Sequence, residues 1–359
     1  MPIDNTAALT ATAHALVADG KGLLAMDESN GTCNRRFAAA GIAQTEAMRR
    51  AWRELLLTAP GLCDSISGVI LYDETLHQAT DQGLPFVTVA RDAGLIVGIK
   101  VDIGTKPLAA HPGEQVTEGL DGLRERLQAY AAMGARFAKW RGVVMADEPG
   151  MVTASRPSRA SIVTNALALA RYAALCQEAG LVPVVEPEVL MDGRHTLQRC
   201  QAVTEALLRS VFEQLALQGV LLEAMLLKPN MVLPGLDCAV QQDDAAVAAA
   251  TLQTLLRVVP AAVPGIVFLS GGQSPEQASR RLNAMHQTHP AASPTSPPPD
   301  PAAPWPLSFS FARALQQPAL TLWSGQDAQR AAAQQALLHR ARCNRAAVQG
   351  HYSAAMEAT

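Results

Sequence analysis

Lys228 has the setting most suggestive of chemistry. It ends the apolar run Met225-Leu226-Leu227 and is followed by Pro229-Asn230. Desolvation and a neighbouring cation both favour the free amine over the ammonium. A free amine attacks a carbonyl carbon and forms a Schiff base. Lys139, near the end of ARFAKW (135–140), is the expected neighbouring cation, and Glu186, at the end of LVPVVE (181–186), is an expected carboxylate partner. A structural Lys228–Glu186 pair with no chemical role is the competing account.

Other ionisable residues fall at the ends of similar runs: Asp27, Lys100, Arg141 and Glu188, with Arg313 just past the last run. Charges at the ends of buried strands are costly unless they pair. So many together predict convergence on one pocket. Ser270-Gly271-Gly272 is a short turn before a helix start, Ser274-Pro275-Glu276. Its backbone N–H groups can cradle a phosphate. Arg313 is placed to add charge there. Ser29, Thr32, Arg35, Arg36, Lys100 and Arg141 offer a second anion site. Two separated anion sites imply a substrate phosphorylated at both ends.

Eight apolar, β-rich runs would position these residues: 22–26, 67–72, 96–101, 135–140, 181–186, 224–228, 265–270 and 307–311. Their ends lie about 30 to 46 residues apart, the length of one strand–helix unit. Continuous apolar runs fit strands buried on both faces. Between them lie segments with the 3.6-residue helical period, ended by Gly134, Gly180 and Gly219. Eight such units predict an α/β fold, a single-domain (β/α)8 TIM barrel over residues 1–359. A doubly wound sheet is the rival, but no GxGxxG follows the first strand. The segment 289–306 (HPAASPTSPPPDPAAPWP) reads as a solvated proline-rich insertion, and 348–359 as a short C-terminal tail.

Composition excludes several classes. With 49% hydrophobic and 17% charged residues, the chain can bury a large core. A net charge of −3 offers no general field for nucleic acid or an anionic membrane. No spanning helix or secretion signal is expected. Six scattered cysteines without a CxxC fit reduced thiols in the cytoplasm. No histidine ends a strand. His286 and His289 have ligand-compatible spacing but lack a third partner, so metal catalysis is not expected.

The stretches LLAMDESNGT (23–32), GIKVDIG (98–104), FAKWRGV (137–143), VVEPEVLMDG (184–193), LLKPNMVLPG (226–235), FLSGGQS (268–274) and PWPLSFSFARALQ (304–316) closely resemble class I fructose-1,6-bisphosphate aldolases. The resemblance spans almost the whole chain, in order. It implies a TIM barrel, usually a homotetramer, that cleaves fructose 1,6-bisphosphate to dihydroxyacetone phosphate and glyceraldehyde 3-phosphate without a metal cofactor. By position, Lys228 resembles the Schiff-base lysine and Glu186 the acid/base of carbinolamine chemistry. Asp27 with Lys139 resembles the pair assisting carbon–carbon cleavage, and Lys139 and Glu188 complete the network around Lys228. Ser270, Gly271, Gly272 and Arg313 resemble the 1-phosphate pocket. Ser29, Thr32, Lys100 and Arg141 resemble the other pocket, flanked by Arg35 and Arg36. Ala312 stands where a glycine is usual, and a tail ending in tyrosine has no counterpart after Gln349-Gly350-His351-Tyr352. Another lysine-dependent barrel aldolase and a non-catalytic scaffold are the alternative readings.

Overall fold

The computed structural model describes residues 5–147, 156–288 and 303–358. Its strands are β1 (Gly22–Ala25), β2 (Ile66–Leu71), β3 (Ile96–Lys100), β4 (Thr105–Pro107), β5 (Gln115–Thr117), β6 (Phe137–Val144), β7 (Val182–Val189), β8 (Leu226–Leu227), β9 (Ile266–Phe268) and β10 (Leu307–Phe311). Eight of them close a barrel in the order β1-β10-β9-β8-β7-β6-β3-β2. Helices connect them and pack outside, as parallel strands require. The antiparallel hairpin β4–β5 lies outside the barrel and has no counterpart among the eight expected runs.

Side chains alternate along a strand, so every second residue faces the barrel axis. Leu23, Ala25, Ile70, Phe137, Val182, Val184, Leu226 and Val267 form one interior cluster. The N-terminal helix Thr6–Leu16 closes it from below with Leu9, Ala13 and Leu16. Residues of opposite parity, such as Leu24, Trp140, Val185, Leu227 and Phe268, pack against the surrounding helices. Gly98 makes room for the Phe137 ring, since a Cβ there would lie 2.3 Å from it. Continuing the same parity past the apolar layer places Asp27, Lys100, Lys139, Arg141, Glu186, Glu188 and Lys228 on the inward face, at the mouth.

Two strands run further than the apolar pattern indicates. β6 and β7 pair in register from Phe137↔Val182 to Val144↔Val189. Lys139, Arg141, Glu186 and Glu188 are therefore strand residues, because ion pairs across the register compensate their burial. β8 is only two residues long, as Pro229 has no N–H to continue a ladder. Most of the proline-rich insertion, 289–302, falls outside the described residues. Its end belongs to the fold: Trp305 is buried and its Nε1 donates to Pro260 O at 2.9 Å. Among the described residues no helix is long and apolar enough to cross a membrane, and all six cysteines are unpaired.

Candidate active site

Four buried side chains form an alternating charged chain across the floor of the mouth. Lys139 Nζ lies 2.6 Å from Asp27 Oδ2 and 3.3 Å from Glu186 Oε2. Lys228 Nζ lies 3.3 Å from Glu186 Oε1. Lys139 and Lys228 are 4% and 3% exposed. Burial alone raises the Asp27 carboxyl, but Lys139, Lys228 and Lys100 outweigh it and bring it down to about 2. Burial likewise lowers Lys139, yet Asp27 and Glu186 leave it well above the ordinary lysine value. Asp27 and Lys139 are thus fixed as ions. Glu186 Oε2 is buried and accepts no hydrogen bond, although the Lys139 ammonium lies 3.3 Å away.

Above this floor, a cavity of about 830 Å³ is lined by Asp27, Ser29, Thr32, Arg35, Lys100, Lys139 and Arg141, among others. Ser29 caps the helix Asn30–Ala39, and Arg35 donates to Thr32 Oγ1 at 3.0 Å. Helix start and cations together suit an anion. Besides Lys139, two of these cations already have partners. Lys100 Nζ is 2.6 Å from Asp102 Oδ1, and Arg141 Nε pairs with Glu188. Glu188 therefore faces Arg141. Two residues beyond Glu186 on the inward face, it sits one layer higher and makes no direct contact with Lys228, so the network around that lysine is narrower than expected.

The second expected anion site is open. Gly271 and Gly272 have φ of 52° and 75°, and their N–H groups meet no acceptor among the described residues. Successive N–H groups in a turn can form an anion-binding concavity. Gly272, with φ of 75° and a would-be Cβ 2.2 Å from Met191 Sδ, is at a position that favours glycine. Ser270 is buried beside them. Arg313 begins the helix Arg313–Trp323, is exposed and makes no ion pair among the described residues. Ala312 has φ −103°, so the position needs no glycine.

Arg36 is the expected site residue that the structure places elsewhere. Its guanidinium is tied to Glu28 and, at 3.1 Å, to Gln316 Oε1. The cause is Glu28. Burial raises its carboxyl, but Arg53, 2.7 Å away, and Arg36 more than compensate and hold it below the usual value. Both arginines act to keep that carboxylate charged, Arg53 more strongly than Arg36. Glu28, Gln316 and Asp102 had no expected role. Asp102 was detectable, being an acid two residues beyond Lys100 and of the same parity. Gln316 Nε2 donates to Ala25 O at the end of β1, a link no spacing reveals. His286 Nε2 lies 2.9 Å from Leu307 O, a backbone partner, and His289 is outside the described residues.

Fold and site together define a parallel β/α barrel with a buried amine at its mouth. A family model described as "Fructose-bisphosphate aldolase class-I" matches residues 8–359. The "Probable fructose-bisphosphate aldolase class 1" of Xanthomonas campestris is 52% identical over 345 residues, 96% of this chain and 98% of that one. "Fructose-bisphosphate aldolase B" of Gallus gallus is 49% identical over 346 residues, covering 96% and 90%. The solved fructose-bisphosphate aldolase of Plasmodium falciparum superposes with a TM-score of 0.92 at 43% identity, over 98% of this chain and 97% of that one. The chain belongs to the class I fructose-bisphosphate aldolases, lyases of glycolysis.

Proposed function

We propose that the chain reversibly cleaves fructose 1,6-bisphosphate to dihydroxyacetone phosphate and glyceraldehyde 3-phosphate through a Schiff base on Lys228. The observation carrying this assignment is the buried series Asp27–Lys139–Glu186–Lys228. The Lys228 amine adds to the ketose C2. Glu186 protonates the carbinolamine oxygen, which leaves as water, giving an iminium. Asp27, oriented by Lys139, accepts the C4 hydroxyl proton. The C3–C4 electrons move into the iminium, leaving an enamine and the free aldehyde. Protonation of the enamine and hydrolysis then release the ketone and restore Lys228. A carboxylate near 2 is a weak base, so the driving force for C4 deprotonation lies in the iminium electron sink. That sink also lets the reaction proceed without a metal cofactor.

Ser270, Gly271, Gly272 and Arg313 hold the 1-phosphate in this reading. Ser29, Thr32, Arg35, Lys100 and Arg141 hold the other, while Glu188 orients Arg141 and Arg36 supports the wall. We read residues 1–359 as a single domain, since β1 pairs with β10 to close one barrel. Cytoplasmic residence is supported by a cytosolic relative 48% identical over 344 residues. A homotetramer is the assembly that the family resemblance implies.

Borohydride added with dihydroxyacetone phosphate should trap one covalent adduct, mapped to Lys228, and EDTA should leave cleavage intact. Activity lost to EDTA, with no adduct formed, overturns the assignment.

A further inference from the structure

Away from the barrel mouth, one other place among the described residues gathers groups that ligate metals. His339 and Cys343 lie four residues apart, on one face of the helix Arg330–Val348. Glu357, in the C-terminal turn Ala354–Ala358, reaches the same face. One ligand atom from each lies within 4.8 Å of the others. We propose that His339, Cys343 and Glu357 form a binding site for a divalent cation of the zinc class, clasping the C-terminal segment to this helix. The site is separate from the aldol chemistry, which needs no metal.

Three observations favour a ligand set over a simple docking contact. The first is spacing. Tetrahedral zinc with ordinary bond lengths separates sulfur from nitrogen by about 3.6 Å and nitrogen from oxygen by about 3.4 Å. Here Cys343 Sγ is 3.6 Å from His339 Nε2, and His339 Nε2 is 3.7 Å from Glu357 Oε2. Two of the three edges are thus close to those of tetrahedral zinc, and the third is within 4.8 Å.

The second is the state of the carboxylate. It has about four lone-pair positions. Arg340 takes one on each oxygen, and Tyr352 OH, at 2.6 Å, takes another on Oε1. The remaining position belongs to Oε2, the oxygen nearest His339. Arg340 and Tyr352 thus aim the carboxylate as outer groups aim metal ligands. Arg340 is itself anchored to Ser279 Oγ at 2.7 Å and Pro275 O at 3.0 Å.

The third is donor chemistry. Thiolate and imidazole with one carboxylate suit zinc, cobalt or copper, not magnesium or calcium. Cys343 is buried while His339 and Glu357 are partly exposed, so the ion has a way in and water can fill a fourth position. The thiol gives its proton to solvent as the metal binds.

The test uses the full chain, stripped with EDTA and dialysed, then titrated with Co²⁺ alone. One equivalent should bring up a thiolate-to-cobalt charge-transfer band with the visible bands of tetrahedral cobalt, and Zn²⁺ should bleach both. Cys343→Ala should abolish the charge-transfer band. His339→Gln, a partly exposed change that spares folding, should weaken Co²⁺ binding at least tenfold. Circular dichroism confirms that both variants fold. Absence of the band in the native chain, or its persistence in Cys343→Ala, overturns the site. So does equal binding by native chain and His339→Gln.

Discussion

On the floor of the barrel mouth, Lys139 and Lys228 are buried within 3.3 Å of a carboxylate. On its rim, Arg35 and Arg313 reach solvent, and Arg313 has no ionic partner among the described residues. The same kind of charge therefore does two kinds of work. The buried Asp27–Lys139 pair fixes charge and proton positions before substrate arrives, as transition-state stabilisation demands. An exposed cation is cheap to hold and is available to an incoming anion. Changes on the floor should alter turnover and stability, whereas changes on the rim should alter binding. The rim is itself uneven. On the β3/β6 side, Lys100 and Arg141 must share themselves between Asp102, Glu188 and any phosphate, while on the β9/β10 side Arg313 and the Gly271 and Gly272 N–H groups meet no partner among the described residues.

The sharpest break is Lys228→Met, which keeps the bulk of the side chain and removes the amine. We expect kcat to fall by at least about 10⁴, as for loss of a nucleophile elsewhere. Fructose 1,6-bisphosphate should still bind within a few-fold, because its phosphates are held on the rim. Cleavage rate and equilibrium binding, measured on one preparation, separate these effects. Turnover within tenfold of the native rate refutes a role for this amine. Lys139→Met strikes the middle of the chain and removes the cation shared by Asp27 and Glu186, leaving Lys228 as the only ion-pair partner of Glu186 among the described residues. Removing one partner of a buried pair costs about 3–5 kcal/mol, which urea denaturation should show. A loss below about 1 kcal/mol, the ordinary worth of a surface pair, would mean that water or a rearranged partner takes over.

Much of this arrangement is legible in the sequence, and the reason is parity. An apolar run that ends in a charged residue fixes which face that residue occupies. Asp27, Lys100, Lys139, Glu186 and Lys228 could thus be assigned to one pocket. What the sequence hides is who pairs with whom. Glu188 and Arg141 pair across β6 and β7, whose shared length is set by the register between them. Arg36 reads like the other cations of its helix and is drawn away by Glu28, whose burial depends on Arg53 in the next helix. The His339–Cys343–Glu357 cluster needs the C-terminal turn folded back, which no local pattern indicates. The β4–β5 hairpin was missed for a related reason, being three-residue strands with little apolar signal.

The unevenness of the rim can be tested by comparing its two sides. Arg313→Ala removes an unengaged cation, and a charged hydrogen bond is worth about 1.5–3 kcal/mol. KM for the bisphosphate should rise about ten- to a hundredfold with kcat little changed. Arg35→Ala should cost only a few-fold, since this exposed side chain already donates to Thr32. Equal penalties from the two variants would show that prior engagement does not weaken a cation's hold on phosphate.

The smallest effect concerns the floor's proton inventory. Asp27 sits near 2 in the folded chain, against an ordinary value of 3.8. A carboxyl depressed on folding contributes stability wherever it is ionised in both states. That contribution is complete above about pH 4, and it declines as the pH falls through the folded value near 2. For a shift of this size it amounts to about 2 kcal/mol. Other carboxylates titrate over the same range, so the native curve alone cannot isolate it. Asp27→Asn supplies the reference, because it keeps shape and loses charge. The stability difference between native chain and Asp27→Asn should be constant from pH 5 to 7 and shrink below about pH 4. A difference independent of pH down to 3 would mean that Lys139 and Lys228 do not hold Asp27 ionised. The alternating charge that distinguishes the floor from the rim would then fail at its first link.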